Sequence, residues 1–135
     1  MGKDTDTARI FLVEDHAYML AMLQEFINQE GDLAVCETAD SGEKALERLP
    51  AITPDLVLVD LSLPGISGLE LVSSLRERYP DIPCAILSGH GERHYAEQAL
   101  NAGAKGYILK GNPDEIPPAI RQIMNGEQYV SRALQ

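Results

Sequence analysis

Short apolar runs alternate with amphipathic stretches along most of this chain, and that alternation limits the possible folds more than any other feature of the sequence. The apolar runs are strand-sized and fall at 8–15 (ARIFLVED), 33–39 (LAVCETA), 55–61 (DLVLVDL), 82–88 (IPCAILS) and 106–110 (GYILK). Between them the spacing becomes helical. Met19, Leu20, Leu23, Phe26 and Ile27 share a face in a helix over 16–30 that Gly31 ends. A short helix is expected over 41–49 with Ser41 as its cap, and Pro50 and Pro54 bracket a loop after it. Residues 68–78 put Leu69, Val72 and Leu75 on one face, and a fourth helix covers about 92–102. The last helix carries Ile116, Ala119, Ile120, Ile123 and Met124 and stops near Asn125-Gly126; Pro117 and Pro118 leave its start open between Asn112 and Glu115. Five strands alternating with five helices predict an α/β fold, a doubly wound parallel sheet covered on both faces. The strands are apolar almost throughout, as strands buried on both sides must be.

Bulk properties narrow the function. A chain of 135 residues makes one domain with an ordinary core. Its apolar runs are far too short to span a membrane. The start, MGKDTDTAR, lacks the apolar stretch of a signal peptide, and Asp6 stands where an acylation motif requires Ser or Thr. Residues 1–7 read as a disordered tail. A net charge of −10 argues against this segment gripping nucleic acid or an anionic membrane by itself. Cys36 and Cys84 sit in apolar runs without a CxxC or a Cys/His cluster, so they read as buried thiols in a reducing compartment.

In doubly wound sheets, sites form at the carboxyl ends of the strands. Those ends carry Glu14 and Asp15, then Asp60, then Ser88 before Gly89, then Lys110. Singly, each has an ordinary reading. An Asp after a strand is a turn or cap residue, and a Ser before Gly is turn chemistry. A Lys there faces solvent. Together they would crowd three carboxylates, which repel one another unless something cationic sits among them. Lys110 supplies one positive charge. A hard divalent cation such as Mg2+ would complete the balance. One carboxylate could then act as a nucleophile toward phosphorus, with the metal, the ammonium and the hydroxyl offsetting phosphoryl charge. Asp60 is best placed for that role, because its strand is central and Gly65 and Gly68 admit close approach.

The motifs VED (13–15), LVLVDLSLPGISG (56–68), AILSG (85–89) and GAKGYILK (103–110), in this order and spacing, resemble the receiver domain of two-component response regulators. The resemblance runs from about Arg9 to Gly126. GAKGYILK and GEQYVS (126–131) are similar to the NarL/FixJ type, whose receiver precedes a LuxR-type helix-turn-helix domain. It implies a flavodoxin-like, five-stranded sheet in the order 2-1-3-4-5 with five helices. It also implies that Asp60 accepts a phosphoryl group from the phosphohistidine of a sensor histidine kinase. Asp15 would ligate Mg2+ directly and Glu14 through water, with Asp60 and the backbone carbonyl of Ser62 as further ligands. Lys110 would pair with Asp60 and then with the phosphoryl group, Ser88 would bond a phosphoryl oxygen, and Tyr107 would change rotamer with Ser88, shifting the face of helix four, strand five and helix five. Taken alone, Tyr107 reads as an exposed strand aromatic with a wet hydroxyl. Ser62 and His90 flank the site and would influence hydrolysis of the phosphoryl group; a bland reading of His90 is a surface loop residue. This chain departs from the pattern with Glu14 at the first acidic position, Ser88 in place of Thr, and Gly111 where many receivers have Pro.

Two other readings are weaker. A haloacid-dehalogenase-type phosphatase needs a second Asp two residues after the first, where this chain has Ser62, and usually a cap domain. An unphosphorylated adaptor does not need the complete acidic, hydroxyl and ammonium set. The expected layout is a tail at 1–7, a receiver at 8–126, and the start of a linker at 127–135 leading to an output domain beyond this chain. DNA would be bound only through that domain; a stand-alone receiver or phosphorelay module is the alternative. A cytoplasmic location, homodimerisation on phosphorylation, no membrane contact, and no catalysis beyond self-phosphorylation and slow dephosphorylation complete the expectation.

Overall fold

The computed structural model describes residues 7–134, so the expected tail falls, apart from Thr7, outside the described residues. The elements follow in the order β1 (Ala8–Val13), α1 (Ala17–Asn28), β2 (Leu33–Ala39), α2 (Gly42–Ile52), β3 (Leu56–Asp60), α3 (Gly68–Arg78), β4 (Cys84–Ser88), α4 (Arg93–Ala102), β5 (Gly106–Leu109), α5 (Ile116–Met124) and β6 (Tyr129–Val130). All strand pairings are parallel and the sheet order is β2-β1-β3-β4-β5-β6. The α/β class, the five helices and the order of the first five strands follow the sequence reading.

The sheet has six strands, not the expected five. After α5 the chain reverses at Gly126, whose φ of +91° suits a residue without Cβ. It then runs beside β5, where Tyr129 N–H donates to Lys105 O at 3.0 Å and Ser131 N–H to Tyr107 O at 3.0 Å. This pairing satisfies backbone groups that an edge strand would otherwise leave open. A two-residue strand carries no periodicity for a sequence pattern to reveal.

The helix ends also differ from the sequence pattern. α1 stops at Asn28, three residues before Gly31. α2 continues through Pro50 to Ile52, because Thr53 N–H still reaches Leu49 O at 3.1 Å and closes the last turn. The residues Pro113–Glu115 form a 3-10 turn, and α5 starts at Ile116. Pro117 and Pro118 thus lie in its first turn, where backbone N–H groups lack intrahelical partners and their loss costs little. Ser41 caps α2 as expected, its Oγ accepting from Lys44 N–H. Ser67 and Glu70 form a reciprocal capping box that fixes the start of α3.

The strands divide the core. Phe11, Val13, Val57, Val59 and Ile86 face α2, α3 and α4, while Ile10, Leu12, Leu56, Leu58 and Ile108 face α1 and α5. β3 is buried along its whole length. Full burial of one such side chain stabilises by about 1.5–3 kcal/mol, so β3 is a rigid mount for whatever stands at its end.

Candidate functional site

Because every strand runs in the same direction, all the carboxyl ends reach one edge. β3 delivers Asp60 as its last residue, 3% exposed. Glu14 follows β1 and is held to β2 by its N–H on Ala39 O at 3.0 Å; its side chain is buried, and that of Asp15 is partly exposed. β4 ends on buried Ser88. Lys110 follows β5 and stays in line because its N–H donates to Ser88 O at 2.8 Å.

The Lys110 ammonium sits between two carboxylates. Its Nζ is 2.8 Å from Glu14 Oε1 and 3.0 Å from Asp60 Oδ1. Burial works against the charged form, but the adjacent Glu14 and Asp60 carboxylates outweigh it and hold the Lys110 pKa above the ordinary lysine value. Asp60 Oδ1 also accepts from Ser62 N–H at 3.3 Å. The Ser62 amide thus helps to hold Asp60.

Asp60 Oδ2 is buried without a hydrogen-bond partner among the described residues. So is Asp15 Oδ1, although His16 Nδ1 lies 3.4 Å away. Glu14 Oε1 faces Lys110 as an ion pair but outside hydrogen-bonding alignment. Glu14, Asp15, His16 and Asp60 each offer one ligand atom, all within 4.8 Å of one another. Lys110 offsets only part of the charge of the three carboxylates. Hard oxygen donors, excess negative charge and an unpartnered oxygen aimed into the cluster fit a hard divalent cation such as Mg2+. His16 was not singled out in the sequence; nothing distinguishes a lone His after two acids from a surface residue.

On the other side of Asp60, Ser88 Oγ accepts from His90 N–H at 2.9 Å. Tyr107 is fully buried, and its hydroxyl donates to His90 O at 2.7 Å. This rules out the bland reading of Tyr107 as an exposed strand aromatic. Burial pushes the Tyr107 pKa up, partly countered by a hydrogen bond with Ser88. The backbone of His90 thus touches both Ser88 and Tyr107, and its ring packs against Tyr95 at a tilt of 38°, with centroids 4.8 Å apart.

The loop after Asp60 is shaped by two glycines. Gly65 adopts φ +70°, and the neighbouring Ile66 N–H is held by Glu43 Oε2 of α2 at 3.1 Å. A Cβ on Gly68 would collide with Asp60 O and the Leu61 backbone, so only glycine lets α3 begin this close to β3.

The profile of the response regulator receiver domain matches residues 10–121. The oxygen regulatory protein NreC of Staphylococcus epidermidis is 37% identical over 128 residues, which are 93% of this chain and 59% of that protein. The chain thus spans about three fifths of the length of the curated relatives it matches. A two-component response regulator of the LuxR family from Aurantimonas sp. SI85-9A1 superposes with a TM-score of 0.91 at 32% identity, covering 95% of this chain and 92% of that one. The signal receiver domain of the putative response regulator NarL from Mycobacterium tuberculosis superposes with a TM-score of 0.84 at 28% identity, covering 90% and 99%.

Proposed function

Since the chain belongs to the response regulator receiver domain family, in its LuxR/NarL branch, we propose that Asp60 is the phosphoacceptor of a switch that takes a phosphoryl group from the phosphohistidine of a sensor histidine kinase. The observation that carries this reading is the asymmetry of Asp60: Oδ1 is held by Lys110 and Ser62, while Oδ2 is buried and unpartnered at the open edge. Oδ2 thus carries no hydrogen bond that attack on phosphorus would have to break. As its bond to phosphorus forms, the bond from phosphorus to the histidine nitrogen breaks, and the imidazole leaves with that electron pair.

Glu14, Asp15, Asp60 and the Ser62 carbonyl would hold Mg2+, which when bound supplies positive charge for the phosphoryl oxygens. Lys110 stays protonated and moves its hydrogen bonds from Asp60 toward a phosphoryl oxygen. Phosphorylation adds about −1.5 to −2 charge and new acceptors at one point. Ser88 Oγ turns to meet them, and Tyr107 fills the space it leaves, giving up His90 O. That rearrangement shifts the face of α4, β5 and α5. Ser62 and His90 flank the phosphoryl group and tune its hydrolysis. A groove lined by Met19, Met22, Leu23, Phe26, Lys110 and Pro113 supports docking of the kinase beside the site.

The output reading is that the switched face promotes homodimerisation in the cytoplasm and controls DNA binding by a domain beyond this chain; residues 8–126 carry the receiver, β6 closes its sheet edge, and the chain leads from there toward that domain. Incubation with acetyl phosphate and Mg2+ tests the core of the proposal. Wild-type protein is expected to gain one phosphoryl group, and Asp60→Asn none. Equal incorporation in both would remove Asp60 from the mechanism.

A further inference from the structure

Ser131 lies in β6's trailing turn, far from Asp60 in sequence, yet it is fully buried. All its polar groups are engaged. Its N–H donates to Tyr107 O at 3.0 Å and its carbonyl accepts from Leu134 N–H at 2.9 Å. Its Oγ accepts from Leu109 N–H at 2.8 Å. In a longer ladder a backbone carbonyl would take that last bond, but the Ser131 carbonyl is committed to Leu134. A side-chain hydroxyl therefore ends the pairing of β5.

The place where it does so matters. Leu109 immediately precedes Lys110. On the inner side of β5, Lys110 N–H is tied to Ser88 O; on the outer side, Leu109 N–H is tied to Ser131 Oγ. Two consecutive peptide groups are thus pinned from opposite directions, and the lysine that spans Glu14 and Asp60 projects from the pinned end. Without the hydroxyl, Leu109 N–H is a half-buried donor that has lost its acceptor, and the strand end is released on its outer side.

We propose that Ser131 is a positioning residue of the phosphoacceptor site, fixing the end of β5 so that Lys110 meets Asp60 at hydrogen-bonding distance. This rests on the proposed role of Asp60. It adds that the segment following α5 reaches the site through one group, so displacement of the Ser131 hydroxyl changes how Lys110 addresses the phosphoryl group.

The test compares wild-type chain with Ser131→Ala, Ser131→Thr and Leu134→Ala. Two quantities are read: the rate of Asp60 phosphorylation by acetyl phosphate with Mg2+, and the 15N signal of the Lys110 ammonium. Ser131→Ala is expected to slow phosphorylation about tenfold, the scale of a sub-ångström misplacement of a reacting partner, and to displace the Lys110 signal. Ser131→Thr, which keeps the hydroxyl, restores both. Leu134→Ala removes a buried side chain beyond Ser131 while keeping the Ser131 hydroxyl and the Leu134 N–H, and leaves rate and signal near wild type. If Ser131→Ala does not fold, Ser131→Cys keeps the volume, weakens the acceptor and carries the same expectation. A wild-type rate and signal in the hydroxyl-free variant, or equal slowing by Leu134→Ala, overturns the positioning role. Failure of wild type to take up phosphate at Asp60 would instead sink the phosphoacceptor reading, while the Lys110 signal would still report on Ser131.

Discussion

Asp60 carries a buried charge of which one oxygen is bonded and the other is not. Such a group costs stability until a cation arrives. Asp60→Asn is therefore expected to raise stability in the presence of EDTA by about 1–3 kcal/mol, the scale of an unsatisfied buried polar group. Mg2+ should stabilise wild type by about 2.7 kcal/mol at a hundredfold excess over its dissociation constant, and the Asn variant much less. Urea unfolding with and without Mg2+ measures both effects; a variant less stable than wild type in EDTA would show that the carboxylate is not frustrated. At this scale the sequence was informative because chemistry concentrates at strand ends. Glu14, Asp15, Asp60, Ser88 and Lys110 were each legible as the residue closing or following an apolar run. His16 and Glu43 were not, because what they do depends on which loops meet, and no local pattern records that.

Among the elements, β6 is the one whose attachment is most exposed to pH. Glu115 Oε1 accepts from Tyr129 OH at 2.6 Å and from Arg132 N–H at 3.3 Å. Burial opposes ionisation of Glu115, but these bonds, with Ser131 and Asn112, hold its pKa below the ordinary Glu value. Burial and Glu115 together push the Tyr129 hydroxyl up to about 12. The lowered carboxyl pKa gives a contribution that is present above the ordinary Glu range and lost as pH falls through the folded value. The raised phenol pKa gives one that is present below the ordinary Tyr value and lost as pH rises through about 12. Hydrogen exchange at the Ser131 amide should thus be slowest across the neutral range relative to base-catalysed expectation, and Tyr129→Phe should flatten that profile. A profile unchanged by the substitution would separate the tail from this pair. β6 escaped the sequence pattern because a phenol, a hydroxyl and ladder bonds hold it rather than an apolar period. Pro50 misled for a related reason: a proline in a last turn removes only one bond, and the Thr53 N–H on Leu49 O keeps the helix closed.

At the scale of the whole molecule, the two apolar layers meet through β3, so damage there is felt on both sides. Leu58 is fully buried in the layer under α1 and α5. Leu58→Ala is expected to cost about 2–5 kcal/mol, the range for emptying a core position, read as a fall in the urea midpoint with little change in slope. The parallel order was foreseeable from strand–helix alternation, which leaves few right-handed solutions. What alternation could not supply was the closing of the outer edge at β5, since that depends on the chain reversing at Gly126 and on Ser131 ending the ladder.

That edge closes only after β5 itself has been made. Tyr129 and Ser131, which cover the Lys105–Tyr107 stretch, follow it in the sequence with the whole of α5 in between. Synthesis delivers the N-terminal part first, so every nascent copy passes through an interval in which β5 is formed but its outer N–H and C=O groups face water, a template for a neighbouring chain. Emergence of residues 126–131 therefore decides when this edge stops offering itself to a neighbouring chain.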